Sequence, residues 1–186
     1  YTETSIGLKL DIEELNKLKK RCKAKLMLDA TASFGLESKH HYSDVMSFSS
    51  CKGLFGLTGA CFVCYDTKPT NKIKSFYLDI NNHINKKMTG PNSTIQSLEF
   101  VLKNYTKFKR KVVKNKNFFM NKYKDYIIYP KKNQPNICTF ISRKVKKRKN
   151  LILYQPRVKN NGSLVFHLGS GHLDINPEDI NKNIKI

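Results

Sequence analysis

Two short apolar runs that each end in a chemically functional residue constrain the fold of this chain more than any other feature. Residues 26–28 lead into Asp29, and residues 45–48 lead through Ser49 into Lys52. Runs of this length predict buried strands of an α/β sheet, whose carboxyl ends present side chains to a ligand crevice. We therefore expect one carboxylate and one amine to meet at the same edge of a sheet.

A glycine-spaced turn follows Lys52 and leads into the apolar residues 60–65. Its glycines, which let a backbone pass close to a ligand and turn tightly, are Gly53, Gly56 and Gly59. An amine paired with a carboxylate suits pyridoxal phosphate, because the lysine holds the aldehyde while the carboxylate keeps the pyridine nitrogen protonated. In other settings an aspartate at a strand end caps a helix and a lysine is simply solvated, so the pairing remains a hypothesis.

Three segments together resemble the class V aminotransferases among the fold-type I pyridoxal-phosphate enzymes. They are residues 3–7 (ETSIG), residues 28–35 (LDATASFG) and residues 49–53 (SSCKG) with the two glycines that follow. Within the class, the second and third segments are most similar to the 2-aminoethylphosphonate:pyruvate transaminase branch. The resemblance implies an α/β fold of the aspartate aminotransferase-like type that binds pyridoxal 5'-phosphate.

The resemblance also implies a division of the chain. Residues 1–125 are expected to form part of the large cofactor-binding domain, with a mostly parallel sheet and the interdomain helix. Residues 126–186 are expected to form a small α+β domain. Members of the class carry a glycine-rich phosphate loop in their first half that nothing here matches, so we expect this chain to be the C-terminal part of a longer protein.

Roles for individual residues follow from the resemblance. Lys52 is implied as the catalytic lysine that forms the Schiff base and shuttles a proton, and Asp29 as the partner of the ring nitrogen. The other implied cofactor contacts are Thr4 at the phenolic oxygen, Thr31 on a ring face, Ser49 and Ser50 at the phosphate, and Thr89 at the phosphate of a neighbouring subunit's cofactor.

The substrate-binding residues depart from the family pattern. His167 stands where the class carries an arginine that binds the substrate carboxylate, and imidazole lacks that fixed two-pronged cation. His167 and Arg157 are the candidate substrate-binding residues, with Arg157 as the expected substitute for the family's arginine. His40 and His41 lie in a polar loop and are expected at the surface without an assigned role.

The implied reaction converts 2-aminoethylphosphonate and pyruvate into phosphonoacetaldehyde and alanine. The implied partners are a small amino donor, a 2-oxo acid and a second copy of the chain that shares the active site. Another class V activity, on alanine or serine with glyoxylate or pyruvate, fits the cofactor residues equally well. A non-catalytic fragment or a basic binding protein is the alternative of a different kind.

Composition restricts the partners further. The 35 Lys and Arg against 14 Asp and Glu give a net charge of +21, but the charge is spread from Lys9 to Lys185 and arginine is rare. Dispersed charge of this kind is typical of a solvated surface and does not favour a nucleic-acid partner. Cys61 and Cys64 have no second pair to complete a zinc site. No membrane-spanning run or signal is seen, so a cytoplasmic protein is expected.

Periodicity predicts the remaining elements. A helix is expected to start at Asp11, a short one near residues 73–78, a long one from Thr94 to near Lys124, and a final one from Asn176. Strands are predicted at residues 126–129, 137–141, 151–154 and 164–168.

Overall fold

The computed structural model describes residues 1–86, 90–147, 162–169, 176–182 and 184–185. The chain opens with an antiparallel hairpin of β1 (Thr2–Glu3) and β2 (Leu8–Lys9), followed by α1 (Ile12–Cys22). The Asp11 carboxylate accepts hydrogen bonds from the amides of Glu13 and Glu14 at 3.1 and 3.3 Å. This N-cap satisfies amides that the helix itself cannot, and it confirms the predicted start of α1.

The central sheet has three strands in the order β3 (Met27–Asp29), β4 (Val45–Ser49) and β5 (Cys61–Tyr65). β3 and β4 are parallel, with Asp29 beside Ser47, whereas β5 runs antiparallel to β4. The predicted parallel pair is therefore present, and the antiparallel β5 makes the described sheet mixed rather than mostly parallel. Because β3 and β4 are parallel, their carboxyl ends lie at one edge.

One face of this sheet packs against the turns and helix that surround it. Leu28 and Phe48 are buried there together with Ile12 of α1. The ring of Phe48 stacks on that of Phe34, with centroids 3.7 Å apart and planes 8° from parallel. This apolar layer fixes β3, which ends at Asp29, and β4, which precedes Lys52.

Two helices follow the sheet, α2 (Ile80–Asn85) and α3 (Asn92–Lys122). The short helix predicted at residues 73–78 is wrong, because these residues form coil and turns. The helix α2 starts only after Asp79, whose side chain caps it by accepting from the Asn81 amide at 3.0 Å. The long predicted helix is confirmed as α3, which buries Val101, Phe108 and Val112. None of the helices in the described ranges has the length and apolar character that crossing a membrane requires.

The remaining elements are β6 (Cys138–Ile141), β7 (Lys146–Lys147), β8 (Ser163–Phe166), α4 (Pro177–Lys182) and β9 (Ile184–Lys185). β6 pairs with β8 and β7 with β9, both antiparallel. The strand predicted at residues 126–129 is wrong. There the amide of Tyr126 bonds to Tyr123 O at 2.9 Å and that of Ile127 to Lys124 O at 3.3 Å, which continues the turn that ends α3. The strand predicted at residues 151–154 lies outside the described residues.

A single apolar cluster joins the two halves of the chain. Leu36, from the turn after β3, is buried with Val112 of α3 and with Ile137 and Phe140 around β6. Polar contacts reinforce it, since the Asn136 side-chain amide donates to Leu36 O at 2.8 Å. The turn after Asp29 is therefore packed directly against residues beyond α3.

Candidate functional site

Asp29 ends β3 at the carboxyl edge of the parallel pair, where its side chain is exposed. Its Oδ1 accepts a hydrogen bond from the Thr31 amide at 2.9 Å. That bond lowers the pKa of Asp29, and the Lys52 ammonium acts in the same direction. The carboxylate is therefore held ionised and oriented by its own turn.

Lys52 lies three residues after the end of β4 and opens a short 3₁₀ turn, Lys52–Leu54. Its side chain is exposed, and its backbone lies in the left-handed region at φ 56°. Residues other than glycine, asparagine and aspartate seldom adopt this conformation, and such strain clusters at functional sites. The amine thus projects from a backbone that the surrounding packing has to hold.

Lys52 lies within electrostatic range of two carboxylates. Besides acting on Asp29, it lowers the pKa of Glu3, whose main cause of lowering is the hydrogen bonding from Ser5. The Ser5 amide donates to Glu3 Oε1 at 2.8 Å. The Lys52 charge therefore acts on both carboxylates. Sequence reasoning missed Glu3, although its position directly before Thr4 in a motif segment was a usable signal.

The hydroxyls predicted to contact the cofactor differ in their availability. Thr4 and Thr31 are half-buried, in the turn between β1 and β2 and beside Asp29 respectively. Ser49, also half-buried, has its Oγ 3.1 Å from Cys51 Sγ at the end of β4. Thr4, Thr31 and Ser49 remain candidates for neutral hydrogen bonding to a ligand.

Ser50 has a structural role that differs from the predicted phosphate contact. Its side chain is fully buried, and its Oγ donates to Leu57 O at 2.6 Å and accepts from the Ala60 amide at 3.2 Å. The single hydroxyl proton is therefore committed to closing the glycine-spaced turn. This corrects the assignment of Ser50 as a phosphate ligand.

The position of His167 also does not suit a residue that binds substrate. The imidazole is completely buried, with Nδ1 3.1 Å from Asn115 Nδ2 and Nε2 2.8 Å from Thr139 Oγ1. Burial lowers the pKa of His167 to about 3, so the ring is neutral. The prediction that it binds a substrate carboxylate is wrong, and the side chain is part of the packing between α3 and β6. Arg157 and Thr89 lie outside the described residues.

His40 is less exposed than its polar surroundings suggested. It begins the 3₁₀ turn His40–Tyr42 and is half-buried, with Nε2 3.0 Å from Ser33 Oγ. Its ring makes edge contacts with those of Tyr1 and Phe34 at centroid distances of 5.2 and 5.6 Å. His41 is exposed, as expected. Within the described ranges, no group of three or more histidine, cysteine, aspartate or glutamate side chains is arranged to hold a metal ion.

No protein-family model and no curated protein matches the sequence. Solved structures do match the fold. An alanine–glyoxylate aminotransferase from Nostoc sp. superposes with a TM-score of 0.62 and 19% identity over 75% of this chain. A phosphoserine aminotransferase from Cytophaga hutchinsonii superposes with a TM-score of 0.65 and 13% identity over 97% of it.

The matched region is only part of each neighbour, since this chain covers 44% of the first structure and 60% of the second. At these identities the likeness concerns the fold. Both neighbours are aminotransferases, and the sheet edge that presents Asp29 and Lys52 lies in a scaffold of their kind. Over most of its length this chain has the fold of the pyridoxal-phosphate-dependent aminotransferases.

Proposed function

We propose that this chain supplies the catalytic lysine and the ring-nitrogen carboxylate of a pyridoxal-phosphate-dependent aminotransferase. The observation that carries the proposal is the geometry of the parallel strands: β3 ends at Asp29 and β4 ends three residues before Lys52, so both residues lie at or just beyond the carboxyl ends of adjacent strands. The aminotransferase fold supports it independently. Two surface residues placed at random in the fold would not be expected to lie together at the carboxyl ends of adjacent parallel strands.

The donor set fits pyridoxal phosphate. An ionised Asp29 suits a protonated pyridine nitrogen, the exposed Lys52 amine suits an aldehyde, and the neutral hydroxyls of Thr4, Thr31 and Ser49 suit its oxygens. When bound, the cofactor supplies an electron-withdrawing ring that stabilises negative charge on the substrate carbon.

Each residue then has a defined task. Lys52 Nζ would hold the cofactor aldehyde and, when free, would accept a proton from the substrate carbon and return it. Asp29 would keep the ring nitrogen protonated through a charge-assisted hydrogen bond. The Thr31 amide orients the Asp29 carboxylate at 2.9 Å, so the acid does not need to reorganise on binding.

The finer part of the proposal is the substrate, an amino group transferred from 2-aminoethylphosphonate to pyruvate. It is supported by the motif resemblance of residues 28–35 and 49–53. The structural likeness to an alanine–glyoxylate aminotransferase supports a second candidate, an alanine or serine donor with glyoxylate or pyruvate as acceptor. A homodimer with a shared site and a domain boundary near residue 125 belong to the same proposal.

Covalent labelling tests the cofactor assignment. The 186-residue chain is incubated with pyridoxal phosphate, its visible absorbance is recorded, and the lysine adduct is fixed by borohydride and mapped by mass spectrometry. We expect the adduct and the absorbance in the parent and in Lys25→Arg, which alters a lysine whose side chain is 79% exposed. We expect neither in Lys52→Arg. An adduct distributed equally over exposed lysines would refute the assignment.

A substrate panel tests the finer proposal. The loaded protein is mixed with 2-aminoethylphosphonate, alanine or serine, each with pyruvate or glyoxylate, and product formation is followed. Preference for 2-aminoethylphosphonate with pyruvate supports the first candidate. Preference for alanine or serine refutes it and favours the second.

A further inference from the structure

His40 stands outside the Asp29–Lys52 pair, yet it contacts the turn that begins at Asp29. Its Nε2 is 3.0 Å from the hydroxyl of Ser33, which is fully buried. The same hydroxyl is also placed to donate to Ala30 O, next to Asp29 in the chain, at the longer distance of 3.3 Å. The imidazole therefore connects to the candidate site through one buried hydroxyl.

The hydrogen bonds around Ala30 indicate which way the Ser33 proton points. Ala30 O already accepts from the amides of Ser33 and Phe34 at 2.9 and 2.7 Å. A carbonyl oxygen has two lone pairs, and both are used by these shorter bonds. The Ser33 hydroxyl is thus better placed to donate to His40 Nε2, which requires a neutral imidazole with its proton on Nδ1.

Phe34 extends the contact to β4, the strand that precedes Lys52. Its ring meets His40 on one side and stacks on Phe48 of β4 on the other, at 3.7 Å. Its backbone lies against Gly53, where an added β-carbon would collide with the Phe34 carbonyl. A shift of the turn after Asp29 therefore displaces the turn that holds Lys52 as well.

The segment before His40 is held in an unfavourable conformation. Lys39 has φ 68°, in the left-handed region, and it forms an ion pair with Glu13 of α1. Tyr1 closes the other side, since its ring contacts His40 and its hydroxyl donates to Ser38 O at 3.0 Å. Packing and an ion pair thus maintain a strained turn that directs the imidazole at Ser33.

We propose that His40 is a positioning residue for the candidate site: its neutral imidazole accepts the Ser33 proton and fixes the turn that orients Asp29 against Lys52. The inference rests on the proposed function, because it assigns His40 a part in holding the cofactor-binding pair. His40 itself does not contact reacting atoms. It acts through Ser33 and Phe34.

Protonation of His40 should weaken this arrangement. Burial lowers the pKa of His40, Glu37 raises it, and the Tyr1 amino group, Lys109 and His41 lower it. The net effect is a His40 pKa below the ordinary value for histidine, so the ring gains a proton in more acidic solution than a free imidazole does. A protonated Nε2 can no longer accept from Ser33.

The test compares His40→Gln, whose side-chain oxygen can still accept from Ser33, with His40→Phe, which keeps ring packing but has no acceptor. Lys52 labelling by pyridoxal phosphate and borohydride is measured from pH 5 to 8. We expect about tenfold less labelling in His40→Phe at every pH, as befits one lost hydrogen bond. We expect His40→Gln to match the parent at pH 8 and to exceed it on the acid side. His41→Gln is the control and should match the parent throughout.

Different failures have different meanings. An unlabelled Lys52 in the parent would overturn the proposed function together with this inference. Labelling in the parent with equal labelling in His40→Phe would overturn this inference alone. Nitrogen-15 NMR of the parent imidazole gives a readout that needs no cofactor. A proton on Nδ1 supports the inference, and a proton on Nε2 of the neutral ring overturns it.

Discussion

Gly53 packs so closely against Phe34 that a β-carbon at residue 53 would collide with the Phe34 carbonyl oxygen. This contact joins the turn after Asp29 to the turn that carries Lys52. We expect Gly53→Ala to lower the free energy of unfolding by about 1–3 kcal/mol, because backbone atoms have to move. Urea denaturation measures the change. Gly169→Ala is the control, since a β-carbon there meets no atom of the described residues within 4 Å, and equal losses in both variants would contradict the prediction.

Asp29→Asn should separate the charge of this residue from its shape. Asparagine can still accept the hydrogen bond from the Thr31 amide, so the fold should be retained. The negative charge that is proposed to face the cofactor ring is lost. We expect about 10- to 100-fold weaker cofactor binding, the usual range for a hydrogen bond to a charged group. Titration of visible absorbance measures it. Asp66→Asn, an exposed acid after β5, should bind like the parent, and unchanged binding in Asp29→Asn would contradict the assignment.

His167 should make the fold sensitive to acid. Its folded-state pKa of about 3 is below the ordinary 6.5, so below pH 6.5 the unfolded chain takes up a proton that the folded chain does not. Stability is therefore lost as pH falls from 6.5 towards 3, by up to about 1.4 kcal/mol per pH unit. Unfolding between pH 6.5 and 5 should show a shallower loss in His167→Gln, whereas His41→Gln should keep the parent slope. Identical slopes in all three proteins would count against a neutral buried imidazole.

Lys116 is a buried lysine on α3 whose ammonium donates to Gln134 O at 2.9 Å and Asn136 Oδ1 at 3.1 Å. Burial lowers its pKa, but these bonds keep its polar partners satisfied. Lys116→Met leaves both acceptors unpaired, and we expect a loss of about 1–3 kcal/mol in the free energy of unfolding. Lys114→Met, at an exposed position of the same helix with equal helix propensity, should change little. Chemical denaturation distinguishes the two, and equal stability would show that the Lys116 bonds contribute nothing net.

The features that sequence reasoning predicted correctly depend on neighbours along the chain. Asp11 caps α1 through amides two and three residues away, and α4 begins at Pro177, close to the predicted start. Asp29 directly follows an apolar run and Lys52 follows another after three intervening residues. The predicted parallel pairing of the two strands is confirmed.

The features that were missed depend on contacts far apart in the chain. His167 is buried by Asn115 and Thr139, and no local pattern around residue 167 signals such partners. The position of Ser50 just before Lys52 predicts a phosphate ligand. The sequence does not reveal that the glycine-spaced turn folds back, so that Ser50 Oγ donates to Leu57 O. The β-propensity of Tyr126 favours a strand, but its amide instead donates to Tyr123 O in the turn that ends α3.

The left-handed backbone at Lys52 links the proposed cofactor binding to a cost in folding stability. A side chain in that conformation costs about 1–2 kcal/mol, whereas glycine adopts it freely at a smaller entropic cost in the unfolded chain. Lys52→Gly is therefore expected to raise the free energy of unfolding by up to about 1 kcal/mol, as measured by thermal or urea unfolding. The same change removes the amine that is proposed to bind the cofactor aldehyde. The proposed function therefore predicts that folding stability and cofactor labelling respond to Lys52→Gly in opposite directions.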